Sequence, residues 1–137
     1  MASVASHRAS KGQIVLIQLF TSGVNKMDVD FISDRLKKAC EDKSARQRAY
    51  QKDAADKLAS RLDDLRAAAN MATMRTLPGS WEELTGDRKG QLSCRLDKKL
   101  RLVVRPKKQP PPLKGDGGLD WLAIDSITVL EVVNYHD

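Results

Sequence analysis

Arg95 and Arg101 lie in two short runs in which apolar and polar residues alternate. In the first run Leu92, Cys94 and Leu96 share one face, and Gln91, Ser93 and Arg95 share the other. After Asp97-Lys98-Lys99 the pattern resumes, with Leu100, Leu102 and Val104 apolar and Arg101 and Arg105 polar; Val103 is the exception. A period of two is the mark of half-buried strands, and the charged break between the runs makes them a hairpin. Keeping Leu96 and Leu100 on one face predicts that Arg95 stands opposite Arg101, whereas a one-residue slip would mix the faces. Directly opposed arginines repel. A sheet carries such a pair readily when that face meets an anion, and phosphate is the obvious one.

Other chemistries find little support. His7 and His136 are the only histidines, and no His/Cys/carboxylate set has metal-ligand spacing. Gly86 to Gly90 is too short for a phosphate-cradling loop and precedes a strand rather than a helix. No nucleophile-elbow context supports a Ser/His/Asp triad. Metal-free phosphodiester chemistry remains. Cutting RNA this way requires deprotonating a 2′-hydroxyl, stabilising charge on the phosphate and protonating the leaving 5′-oxygen. Arginine does the middle job by bidentate contact, and histidine or another tuned group can take either proton step. By itself, a single histidine beside the C-terminus is more often a plain surface residue, and Tyr135 reads equally well as core.

Charge points the same way. Lys plus Arg number 24 against 18 Asp plus Glu, a net of +6. Between Arg75 and Lys114 eleven basic residues face four acidic ones, so this stretch holds the whole surplus. Arg88, Lys89, Arg95 and Arg105 within it are candidates to grip nucleic acid, with a solvated basic face the equal alternative for Arg95 and the stronger one for Arg88 and Lys89. Charged residues make up 31% of the chain and aromatic ones 4%, which predicts a soluble protein with an aliphatic core. The longest apolar run, Ile14 to Phe20, is too short to cross a bilayer, which takes ~20 residues. The start lacks the apolar region of a signal peptide, so Cys40 and Cys94 are expected to be reduced, buried thiols of a cytoplasmic protein.

At 137 residues a single domain, 1–137, is expected. Asn25 with Asp28 suits a helix start, and Val29, Ile32, Leu36, Ala39 and Cys40 recur at helical spacing to about Asp42. An extended helix is predicted over about 44–70, because Tyr50, Ala54, Leu58, Leu62, Leu65 and Ala69 keep steps of three or four with no Gly or Pro between them. Ser80 with Glu83 resembles a capping box for one helical turn. Residues 106–118 hold four of the five prolines and three lysines, which predicts an exposed loop. Leu119 to Ile124 is expected as a strand or strand extension, and Ile127 to Tyr135 as a strand buried on both faces.

Three segments in order, FTSGVNKMDVDFISDRL, GDRKGQLSCRL…LRLVVR and the terminal VVNYHD, resemble the HigB-type (plasmid killer) toxins of the RelE/ParE superfamily. The resemblance implies an α+β fold, with N-terminal helices packed on a small three- to four-stranded antiparallel sheet, as in RelE-like microbial RNases. It places a short edge strand at 2–9 and a helix at Lys11 to Phe20, and it makes 106–118 an insertion. It implies a toxin of a type II toxin–antitoxin system, a ribosome-dependent mRNA endoribonuclease without cofactor or metal. The implied partners are a helix-turn-helix antitoxin, the ribosome and mRNA, with operator DNA met only through the antitoxin and no membrane.

By the same resemblance Arg101 is the strand arginine that contacts the phosphate, and Tyr135 and His136 are the C-terminal catalytic pair. Where such toxins often carry a His and a Lys before the Gly-Asp turn, this chain has Glu82 and Thr85. Glu82 then becomes the candidate base, and the alternative is a non-catalytic member that binds antitoxin, DNA or gyrase.

Overall fold

The computed structural model describes residues 26–134. The expected strand at 2–9, the helix at 11–20, the cap at Asn25 and the pair Tyr135 and His136 lie outside the described residues. The fold is α+β: three helices pack on one face of a five-stranded sheet of order β1-β5-β4-β3-β2. The sheet comprises β1 (Asp28–Phe31), β2 (Glu82–Glu83), β3 (Leu92–Arg95), β4 (Leu100–Pro106) and β5 (Ser126–Asn134). All neighbours are antiparallel except β1, which runs parallel to β5. The sheet is therefore larger than the expected three or four strands, and mixed.

The helix expected to begin at Asn25 starts later. Asp28 to Phe31 forms β1, because Asp28-Val29-Asp30-Phe31 alternates and its register puts Val29 opposite Ile127 and Phe31 opposite Val129. Ile32, counted in the helical stripe, is 54% exposed. Helix α1 (Asp34–Glu41) opens at Ser33, whose Oγ accepts from the Leu36 amide at 3.1 Å. Asp42 ends α1 and caps α2 (Lys43–Tyr50), its carboxylate accepting from the Ala45 amide at 2.8 Å.

The single helix expected over 44–70 is two. Gln51, at φ +65° and ψ 166°, separates α2 from α3 (Lys52–Ala67). That backbone region is nearly restricted to glycine and costs roughly 1–3 kcal/mol, so packing on both sides must hold it. The apolar stripe survives the break: Ala54, Leu58, Leu62 and Leu65 are buried, and Tyr50 packs against the same cluster. Beyond α3 the Met27 amide donates to the Ala68 carbonyl at 2.8 Å, tying β1 to the helix end.

The capping box expected at Ser80 and Glu83 does not form. Gly79 and Ser80 both have positive φ, +125° and +52°, and turn the chain into β2. Only glycine fits at 79, since a Cβ there would lie 3.1–3.2 Å from Trp81, Arg61 and Cys94 atoms. Glu83 is occupied elsewhere: its carboxylate accepts from Trp121 Nε1 at 2.8 Å and from the Leu119 amide at 3.2 Å.

The hairpin has the expected register, Arg95 opposite Arg101 and Cys94 opposite Leu102. Leu92, Cys94, Leu96, Leu102 and Val104 are buried against the helices, with Leu100 half-buried at the edge. Residues 107–118 form a largely exposed loop. Leu119 to Ile124 is not a strand: Leu119 makes one isolated bridge to Leu113, and Trp121–Ala123 is a 3-10 turn. Leu119, Trp121 and Ile124 are buried, so the apolar signal there marks anchors rather than a ladder. Strand β5 is buried on both faces over Ser126 to Val129 and half-buried beyond. No helix among the described residues is long and apolar enough to cross a membrane.

Candidate phosphate-binding face

The face of the sheet turned away from the helices carries the polar residues of every strand. One cross-strand row runs Glu82, Ser93, Val103, Glu131, and the next runs Arg95, Arg101, Val133. Arg105 pairs with Thr128, which pairs in turn with Asp30. Alternation along β3 and β4 thus sends Arg95, Arg101 and Arg105 to one surface while Leu92, Cys94 and Leu102 enter the core.

Among the described residues two ion pairs flank Ser93 on this surface, and Lys107 pairs with Asp28 and Asp30 at its far end. Arg101 Nη1 lies 2.5 Å from Glu82 Oε1, linking β4 to β2 across β3. The arginine side chain is 17% exposed and the glutamate 51%, so a held guanidinium meets a carboxylate reachable from solvent. Arg88, in the 3-10 turn Gly86–Arg88, reaches Glu131 at 2.7 Å and donates to Gln91 Oε1 at 3.0 Å. Between the two pairs Ser93 and Val103 are fully buried. The Ser93 hydroxyl has no hydrogen-bond partner among the described residues. Arg95 is exposed beside Arg101, and Arg105 is half-buried with its Nε unpartnered among the described residues.

The structure therefore brings Arg101, Glu82, Arg95, Arg88 and Arg105 onto one face. Lys89 departs from that group: it is exposed and lines an open cleft of about 410 Å³ between the Gly86–Gly90 turn and the loop around Leu113. At the other end Asn134 pairs with Leu100, one residue from Arg101, and both line an open cleft of about 470 Å³ with Tyr50, Gln51 and Lys98. Glu131 and Ser93 were not singled out from sequence. Glu131 carried a signal, a lone acid in the apolar run Val129-Leu-Glu-Val-Val133, but the burial of Ser93 had none.

The thiols are not nucleophiles at neutral pH. Burial pushes the Cys94 thiol up to about 12 and the Cys40 thiol up to about 11. Among the described residues no group of three or more His, Cys, Asp or Glu is arranged to hold a metal ion. What the face can do is take an anion on its guanidinium groups, with the half-exposed Glu82 carboxylate beside them.

An α+β chain with helices on one side of its sheet and an arginine-bearing open face on the other matches no family model and no curated protein. Among solved structures it is similar in fold to bacterial toxins. A YoeB/ParE toxin from Agrobacterium tumefaciens aligns with a TM-score of 0.43 at 16% identity, over 80% of this chain and 100% of that one. YoeB from Staphylococcus aureus, in its complex with YefM and as a dimer, aligns with a TM-score of 0.47 at 15% identity, over 82% of this chain and 99% of its own.

Proposed function

We propose that this chain is the toxin of a type II toxin–antitoxin pair, a HigB-type member of the RelE/ParE superfamily that cuts mRNA on the ribosome. The observation that carries the reading is the Arg95–Arg101 opposition on an open face, with Arg101 already gripping a carboxylate. A guanidinium that binds a carboxylate has the geometry to bind a phosphodiester. Arg101 stabilises the charge that develops on the phosphate. Tyr135 and His136, assigned through the resemblance of VVNYHD, handle the proton steps, and Glu82 is the base at the position where similar toxins carry histidine. Arg88, Arg95 and Arg105 supply attraction to ribosome and message. The chemistry requires no cofactor. A helix-turn-helix antitoxin silences the toxin in the cytoplasm and alone meets operator DNA.

The Arg101–Glu82 pair also favours a second reading, a non-catalytic member that binds antitoxin, DNA or gyrase, because a carboxylate on the phosphate-binding arginine opposes substrate. Cleavage of mRNA on purified ribosomes separates the two. Wild type should cut and Arg101→Ala should not. Growth arrest by a wild type that leaves mRNA intact would transfer the assignment to the second reading.

A further inference from the structure

On the reading of this face as a phosphodiester site, we propose that Glu82 is a built-in stand-in for substrate phosphate. Ser93, the cross-strand neighbour of Glu82, is a further phosphate contact, engaged when the carboxylate leaves Arg101 to serve as the base.

Four observations converge. The Glu82 carboxylate occupies the Nη1 edge of Arg101, an edge a phosphate oxygen would use. Arg101 is held by its surroundings at 17% side-chain exposure, whereas Glu82 stands 51% exposed on a two-residue edge strand, so the glutamate is the partner able to leave. Ser93 is the direct cross-strand neighbour of Glu82, fully buried, and its hydroxyl has no partner among the described residues. Buried hydroxyls are nearly always hydrogen-bonded, so one beside a half-exposed ion pair calls for a ligand. Finally, Arg95 is exposed directly across from Arg101, an arrangement of like charges that a single anion between them relieves.

Displacement follows from charge. A phosphodiester exchanged for the carboxylate keeps Arg101 paired, gains Arg95, and accepts a hydrogen bond from the Ser93 hydroxyl. Until then Glu82 neutralises the site and repels weakly held anions. The face is thereby selective for a polyanion anchored by its neighbours, Arg95 and Arg105, over small free anions.

The test is binding of a labelled single-stranded RNA oligonucleotide carrying 2′-O-methyl groups, which cannot be cut, read by fluorescence anisotropy at fixed salt. Glu82→Gln should bind roughly fivefold more tightly, the scale of a partly exposed ion pair. Ser93→Ala should bind about tenfold more weakly, the scale of one hydrogen bond to a charged group. Its urea midpoint should be unchanged or higher, since it removes an unpartnered hydroxyl; this separates a contact from a structural role. Unchanged or weaker binding by Glu82→Gln, or wild-type binding by Ser93→Ala, overturns the proposal. If Arg101→Ala abolishes binding while those two variants behave as wild type, the stand-in alone is lost and the phosphodiester site survives. If Arg101→Ala binds as wild type, the reading of the face itself fails.

Discussion

Trp121 and Glu83 are joined across 38 residues of sequence, the indole Nε1 donating to the carboxylate at 2.8 Å. The same carboxylate accepts from the Leu119 amide, and Arg75 stacks on the Trp121 ring at 3.9 Å. The chain leaving the proline-rich loop is thus fastened to β2, the strand that presents Glu82 to Arg101.

That fastening is testable by stability. Glu83→Ala leaves a buried indole N–H and a backbone amide without an acceptor, and should cost about 1–3 kcal/mol in urea unfolding. Glu83→Gln keeps an acceptor oxygen and should lose less. Equal stability of wild type and Glu83→Ala would show that water serves those donors as well.

Cys94 should make stability depend on pH in the alkaline range. Its thiol titrates near 9.0 when unfolded and about 12 when folded, because burial disfavours the thiolate. The raised value means the unfolded chain releases its proton first. Stability is therefore full below about 9 and falls as pH rises from there toward 12. Urea midpoints measured from pH 8 to 10.5 should decline less in Cys94→Ala than in wild type, with Tyr and Lys titration common to both. Parallel declines would show that the thiol ionises alike in both states.

Gln51 holds a backbone conformation suited to glycine, at φ +65°. Gln51→Gly should stabilise the protein by about 1 kcal/mol, strain relief outweighing the added freedom of the unfolded chain. A lower urea midpoint for this variant would mean that the elbow is unstrained.

Catalysis should follow the division of basic residues. On ribosomes, Arg101→Ala and His136→Ala should each lower mRNA cleavage by about 10²–10⁴-fold, the usual contribution of an acid–base or charge-stabilising group. Arg95→Ala should weaken RNA binding and flatten its salt dependence by roughly one unit of slope. Lys89→Ala, on the separate cleft, should change neither. A large loss in Lys89→Ala with a silent Arg95→Ala would place the RNA path over the 410 Å³ cleft instead.

The β3–β4 hairpin was legible because strand alternation is local: each residue's face follows from its neighbour's, so Leu92 to Arg105 specified register, buried side and the Arg95–Arg101 opposition. The apolar stripe of α3 was legible for the same reason. The break at Gln51 was not, since no Gly or Pro marks it; there the backbone amide donates into α2 and the carbonyl accepts from α3. The mistaken helix over residues 28–31 arose because Val29 and Ile32 fit a helical period as well as Val29 and Phe31 fit a strand's. Only β5, about a hundred residues later in the chain, decides for the strand.

Residue order and periodicity were enough for an arginine-bearing face, a basic centre of charge between residues 75 and 114, and an α+β composition of elements. The folded sheet adds that Glu82 closes on Arg101, that Glu131 holds Arg88, and that Ser93 lies buried between those pairs without a partner among the described residues. The reason is physical. Periodicity reports which face a side chain takes, whereas partners across strands depend on sheet order, and sheet order is set by which long-range ladders bury the most apolar surface together.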